Sequence, residues 1–295
     1  MKVFNFINNR QNKKRISVLT ALIIFNLPFL TYSVNAEPLW DIKNHWAERE
    51  LDQLMALGIV KGFEDGSFKP QDNITRAQFV KMLICALGYE QDAEVLKGVQ
   101  TKFKDVAADH WAGGYIAAAW ELEIAKGDKE GNFFPDEKIT RAEITAMVIR
   151  TLKFENEALN IKKNNLEFKD SKEIPEWAVG YIDIATRIGI ISGMPDNSFS
   201  PNEYATRAQG GIIIQRMLMK LHGLFHYKGK IEKVDQRNKS ITLKINDTKT
   251  QFRISDDICI YMNKEKTNIQ SLNSKSDVFI ILNNKGEIRY MDCYK

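Results

Sequence analysis

Three arginines, Arg76, Arg141 and Arg207, each follow a threonine and open an apolar run at helical spacing, in "NITRAQF", "KITRAEI" and "YATRAQG". Thr75, Thr140 and Thr206 are followed three residues later by Gln78, Glu143 and Gln209. In that pattern the threonine hydroxyl accepts from the third helical amide, and the glutamine or glutamate accepts from the cap's own amide. Three helix starts are therefore predicted. A cation on the first turn opposes the helix dipole by about 0.3–1 kcal/mol, and a capping box does not require one. A guanidinium beside the free amides of a helix start is anion-binding chemistry. The structural alternative is that each arginine bonds a neighbouring carboxylate or carbonyl and staples repeated units together.

The elements that must hold these arginines are themselves repeated. Trp46, Trp111 and Trp177 recur at spacings of 65 and 66, and each arginine follows its tryptophan by 30 residues. Between them lie Gly62, Gly127 and Gly193, each eight residues before a proline, with Phe68, Phe133 and Phe199 two before that proline. Each unit reads as helix, turn-rich loop, helix: Leu51, Leu54, Met55 and Ile59 form an apolar stripe, and "KGFEDGSFKPQDN" breaks it. A two-helix unit cannot bury its stripe alone, so three units should share one core. The tryptophans read most simply as core anchors and alternatively as stacking platforms for a sugar. The glycines read as suppliers of positive φ that also let a ligand approach the backbone.

Residues 1–36 read as an export signal, with Lys2, Arg10, Lys13, Lys14 and Arg15 ahead of an apolar stretch and Val34 and Ala36 at a cleavable position. Those five are among the 42 basic residues and none of the 38 acidic residues falls there, so the remainder carries 37 against 38, a net charge of −1. A basic face for nucleic acid is not expected, nor a membrane contact after signal cleavage. Cys85 reads as a core thiol. Cys259 and Cys293 both fall in the strand-rich C-terminal region and could pair, which depends on a separation that sequence does not state.

After about residue 221 the texture changes to short alternating segments such as "SITLKI" and "DVFIIL", separated by turn signals. A small all-β barrel or sandwich is predicted over 225–295. It should have its own core and be separable from the repeats.

The triple "HWA" or "EWA" start, the glycine turn, the F-x-P or F-P element and "TRA[QE]" make residues 40–219 resemble S-layer homology domains. The resemblance implies a mainly α pseudo-three-fold bundle of three repeats, at 37–89, 103–154 and 168–221. It implies an exported, non-catalytic surface protein held noncovalently on a Gram-positive-type cell wall. The ligand it implies is an anionic, commonly pyruvylated, secondary cell-wall polysaccharide bound in inter-repeat grooves. Arg76, Arg141 and Arg207 are the implied binding arginines, joined by Trp46, Trp111, Trp177, Gly62, Gly127 and Gly193 along the grooves. Ala205, Ser192 and the pair Gly210-Gly211 depart from the other repeats, so unequal grooves are expected. A lattice or scaffold protein, whose β module self-assembles or recruits another surface protein, is the alternative reading.

No cofactor, metal site or catalytic residue is expected. His45 and His110 precede two of the tryptophans, but Glu176 takes that place in the third unit. His222 and His226 lack a partner motif. The acidic turns "EDGSFKPQD" and "PDNSFSPNE" lack the ligand order of a calcium loop.

Overall fold

The computed structural model describes residues 39–163 and 165–294. The segment read as an export signal lies outside the described residues. Repeat 1 contains α1 (Glu48–Ala56) and α2 (Arg76–Ala86), repeat 2 contains α4 (Gly113–Glu121) and α5 (Arg141–Thr151), and repeat 3 contains α7 (Glu176–Arg187) and α8 (Arg207–Leu221). Two short helices, α3 (Glu90–Val95) and α6 (Glu155–Asn160), sit in the linkers between repeats. Thr75, Thr140 and Thr206 each complete a capping box with Gln78, Glu143 and Gln209 at the starts of α2, α5 and α8. The three helix starts expected from the sequence are thus made as that pattern predicts.

The residue before each capping threonine builds the pseudo-three-fold axis. Ile74 donates its amide to Ala205 O at 3.0 Å, Ala205 to Ile139 O at 3.0 Å, and Ile139 to Ile74 O at 3.1 Å. The bonds close a triangle with all three side chains fully buried inside it. Ala205 is therefore the small member of a packed trio. The second helix of each repeat packs on the first helix of the next, α2 on α4, α5 on α7, and α8 back on α1. Gly211 permits that last contact, while Gly210 faces Ile74 and Phe79. A Cβ on Gly211 would lie 2.9 Å from Leu51 Cδ2, so the helix propensity given up, about 1 kcal/mol per glycine, is exchanged for close approach of α8 to α1. One continuous apolar core runs through all three repeats.

The C-terminal module has strands β1 (Tyr227–Asp235), β2 (Ser240–Ile245), β3 (Thr248–Met262), β4 (Glu265–Thr267), β5 (Asp277–Leu282) and β6 (Ile288–Tyr294). β1 pairs with β2, β2 with β3, β5 with β1 and β5 with β6, all antiparallel, while β3 and β6 are parallel and β4 folds back on β3. The pairings run round a ring, but the register slips between Ile254 and Cys259. The six-stranded sheet is consequently bent and sandwich-like rather than a clean barrel. Ile231, Leu243, Val278, Ile280 and Met291 lie in its own apolar core. Cys259 lies opposite Tyr290 and Cys293 opposite Met262, and Cys85, Cys259 and Cys293 are all free.

The β module also meets repeat 1. Ala56, Tyr261, Ile281 and Tyr290 form a small buried cluster with Leu57 and Phe225 at its edge. Around it, the Tyr261 hydroxyl donates to Asp52 at 2.7 Å, Gln53 Nε2 donates to the Tyr290 hydroxyl at 3.0 Å, and Arg49 reaches both Asp292 and the Tyr294 hydroxyl. The two cores expected from the sequence exist, and a buried polar seam joins them.

Candidate functional site

Each repeat loop is tied down by an aspartate that precedes the first helix of its repeat. Asp41 accepts from the amides of Phe68 and Lys69 at 2.7 and 2.6 Å, Asp105 from Phe133 and Phe134 at 2.8 and 2.6 Å, and Asp170 from Phe199 and Ser200 at 2.8 and 2.7 Å. The second residue of each pair is left-handed, at φ 56° for Lys69, 60° for Phe134 and 56° for Ser200. None is glycine, so each turn carries strain of order 1 kcal/mol, and the paired hydrogen bonds to a charged acceptor offset it. These aspartates recur at spacings of 64 and 65. The repeat itself was the signal that could have found them.

The loop held in this way presents a phenylalanine carbonyl to the arginine of another repeat. Arg76 Nε donates to Phe133 O at 2.8 Å, Arg141 Nε to Phe199 O at 2.7 Å, and Arg207 Nε to Phe68 O at 2.7 Å. Each guanidinium also stacks on that phenylalanine ring, 4.8, 5.1 and 4.6 Å from the centroid. The arginines are 7, 6 and 7 % exposed. Burial pulls their affinity for the proton down from the ordinary guanidinium range, against the nearby carboxylates Glu143, Asp170 and Asp72. Stapling, the structural alternative, is therefore what Nε does.

The expected free amides are not there. Arg76 N donates to Glu137 O and Ala77 N to Pro135 O, and the same pair of bonds recurs at Arg141 and Ala142 and at Arg207 and Ala208. Helix-start amides thus have carbonyl partners from a neighbouring repeat, and an anion at these sites would be met by guanidinium Nη groups instead.

The tryptophans are not core anchors. Trp46, Trp111 and Trp177 are 62, 47 and 50 % exposed. Gly62, Gly127 and Gly193 do not adopt positive φ. A Cβ on Gly62 would fall 2.3 Å from Leu39 Cδ2 and 2.9 Å from Ser67 O, and on Gly127 2.5 Å from Asn132 O and 2.7 Å from the Phe103 ring. Their role is close packing of the loop under an apolar side chain, a constraint of contact rather than of dihedral angle.

One cavity, of about 310 Å³, brings several of these residues together. It lies over the loop and second helix of repeat 1, between Arg207 of repeat 3 and Trp111 of repeat 2, and its lining also includes Lys61, Gly62, Lys81 and Glu90. The Arg207 guanidinium carbon sits 4.6 Å from the ring centroids of both Phe63 and Phe68. Lys81 Nζ lies 5.8 Å from the Trp111 ring centroid, so a cation and an exposed aromatic face share one wall. Lys81 was not singled out from the sequence, because its counterparts Ala146 and Ile212 break the repeat.

Comparison with known proteins assigns the architecture. The model of the S-layer homology domain matches residues 41–80, 102–145 and 167–209. The chain carries three S-layer homology domains. It is 33 % identical over 187 residues to the exoglucanase XynX of Acetivibrio thermocellus, covering 62 % of this chain and 16 % of that protein. It is 34 % identical over 161 residues to the cellulosome-anchoring protein of the same species, covering 54 % and 35 %. Against the surface-layer 125 kDa protein of Lysinibacillus sphaericus it is 29 % identical over 201 residues, covering 67 % and 16 %. The chain thus spans well under half the length of these relatives.

The three S-layer homology grooves differ in charge. Beside Arg76, Glu143 Oε1 accepts from Nη1 at 2.8 Å. Nearby, Glu155 accepts from Lys126 at 2.7 Å, Arg150 at 2.8 Å and the Tyr181 hydroxyl at 2.7 Å. That groove neutralises its own cations. In the Arg141 groove Ser192 replaces the lysine, and Arg216 donates to Ile190 O at 3.1 Å. The Arg207 guanidinium, like that of Arg141 and unlike that of Arg76, bonds no carboxylate among the described residues, but its groove keeps a lysine, Lys61, which reaches the half-buried Glu90 at 3.6 Å.

Proposed function

We propose that this protein is a non-catalytic wall anchor that holds an exported chain on the surface of a Gram-positive-type bacterium by binding an anionic, pyruvylated secondary cell-wall polysaccharide. The Arg207 groove is its principal seat. A ketal carboxylate meets the Nη groups of Arg207 with Lys81 and Lys61 beside it, and a sugar ring lies on Trp111 next to Gly62. Arg141 and Arg76, with Trp46, Trp177, Gly127 and Gly193, form the corresponding weaker grooves. The observation that carries this reading is the Arg207 guanidinium, bonded to no carboxylate among the described residues, with Lys81, the exposed Trp111 and the Lys61–Glu90 pair around one cavity. Charge-assisted bonds to a carboxylate are the strong kind, and exposed aromatic faces suit sugar stacking. The names of relatives point the same way, one being a cellulosome-anchoring protein and another a surface-layer protein. Other relatives are named as enzymes, but the chain spans only a small fraction of those proteins, so no catalytic role is carried over.

The test is sedimentation of the purified protein with cell walls before and after chemical removal of their secondary polysaccharide. Intact walls should bind and stripped walls should not. Lys81→Ala and Trp111→Ala act at the rim and should each weaken sedimentation about tenfold, near 1.4 kcal/mol. Equal binding to stripped walls overturns the proposal.

A further inference from the structure

The linker helices show what the third repeat lacks. Ala93 O of α3 lies where a Cβ on Gly114 of α4 would be 2.0 Å away, and Ala158 O of α6 lies 1.9 Å from a Cβ built on Gly180 of α7. Gly114 and Gly180 each fall three residues after a repeat tryptophan, and both are small because a linker helix leans on them. The corresponding residue of repeat 1, three after Trp46, is Arg49. Seventeen residues after Arg207, where Ala93 and Ala158 stand in the other repeats, the chain has Leu224, buried in the repeat core at the entry to β1.

What meets α1 instead is the β module, along almost its whole length. Lys266 bonds Glu48 at 2.7 Å and Asp52 at 2.8 Å, Arg49 bonds Asp292 and Tyr294, and Arg289 Nη1 donates to the C-terminal carbonyl of Met55 at 2.8 Å. Gln53 links three parts of the molecule. Its Nε2 donates to the Tyr290 hydroxyl of β6 at 3.0 Å, and its Oε1 accepts from Gln215 Nε2 of α8 at 3.0 Å. Gln215 lies two turns along the helix that Arg207 begins.

We infer that the β module closes the repeat ring, taking at α1 the place that α3 and α6 take at α4 and α7, and so holds the repeat 3–repeat 1 seam on which the Arg207 groove is built. Repeats 1 and 2, and repeats 2 and 3, are joined by short linkers that contribute their own helix. Repeat 3 meets repeat 1 through the axis, the staple, packing and the Gln215–Gln53 bond, without a short linker helix, because the two lie far apart in the chain. The β module supplies the missing brace, and its α1-facing surface is thereby used within the chain.

Amide hydrogen exchange on the full chain tests this with internal controls, since each seam has three equivalent bonds. The double variant Tyr290→Phe, Asp292→Asn should exchange about tenfold faster at Ile74, Arg207 and Ala208, the effect of about one lost hydrogen bond. Arg76, Ala77 and Ile139 at one other seam, and Arg141, Ala142 and Ala205 at the next, should hardly change. Unchanged exchange at the repeat 3–repeat 1 seam overturns the inference, and so does equal acceleration at all three, which would make the module a general stabiliser. If the double variant does not fold, Tyr290→Phe alone is judged by the same pattern. The binding arm rests on the proposed function: walls carrying their secondary polysaccharide should sediment the variant less well. A loosened seam with unchanged wall binding leaves the brace standing and sinks the Arg207 reading instead.

Discussion

Replacing Arg141 by alanine separates the staple from the binding site, because this arginine has a carbonyl and a ring as partners and no bonded carboxylate. Loss of the Nε bond leaves Phe199 O without its charged donor, at about 1.5–3 kcal/mol for a hydrogen bond to a charged group. Loss of the stacked cation adds about 0.5–1 kcal/mol. Relief of the helix dipole returns about 0.3–1 kcal/mol. The bond and the ring outweigh the dipole, and a net destabilisation of about 2–3 kcal/mol is expected. For a protein of this size that corresponds to a fall in Tm of roughly 4–12 °C at about 2–4 °C per kcal/mol. Urea unfolding followed by circular dichroism gives the free energy, and a heat scan gives the midpoint. Arg141→Lys is the informative control, since it keeps the charge but loses the planar Nε–H, and should recover less than half of the loss. Stability unchanged or raised in Arg141→Ala would refute the reasoning and leave ligand binding as the sole reason for the arginine.

Asp170→Asn removes one of two acceptors for Phe199 and Ser200 at a left-handed turn, and should cost about 1–3 kcal/mol in urea unfolding; a smaller loss means the turn holds itself. Burial by itself would push the Glu155 carboxyl up, but hydrogen bonds from Lys126, Tyr181 and Arg150 together outweigh it and hold the group at about 2. Because the folded value is depressed from 4.5, its contribution is complete above about pH 4.5 and disappears as pH falls toward 2. Glu155→Gln should therefore flatten the acid limb of the stability curve over that window, and an unchanged limb rules the cluster out as an acid-sensitive brace. Glu143→Gln frees the Arg76 guanidinium and should raise the calorimetric stoichiometry for a pyruvylated disaccharide by one site; unchanged stoichiometry means Glu143 is not the block. The Cys85 thiol is pushed up to about 11 and the Cys259 and Cys293 thiols to about 12, by burial in each case. All three should react with a thiol reagent at pH 8 only on unfolding, and fewer than three reactive thiols in denaturant would reveal a disulfide.

Periodicity and capping chemistry were enough to determine the three repeats, their helix starts and the change to β structure, because these depend on contacts within a few residues and on a pattern stated three times. The same local signals misjudged the tryptophans. A large apolar ring at a helix start is usually buried, and only the assembled repeats show that all three rings face outward. Gly62 and Gly127 are legible as necessary, but whether a glycine serves φ or contact depends on Leu39 and Phe103, which are 23 and 24 residues away in the chain. The arginines carry the clearest division. Their spacing shows that three equivalent cations exist, yet their partners are carbonyls 57, 58 and 139 residues distant. That Arg76 bonds a carboxylate while Arg141 and Arg207 do not is decided by a single Glu143, whose counterparts are Gln209 and Gln78. The docking of the β module on α1 is likewise tertiary, since Arg49, Asp52 and Gln53 read as ordinary polar positions until Tyr261, Tyr290 and Asp292 arrive from more than 200 residues away. Burial and pairing of polar groups are properties of what folds against them, and no local pattern encodes that partner.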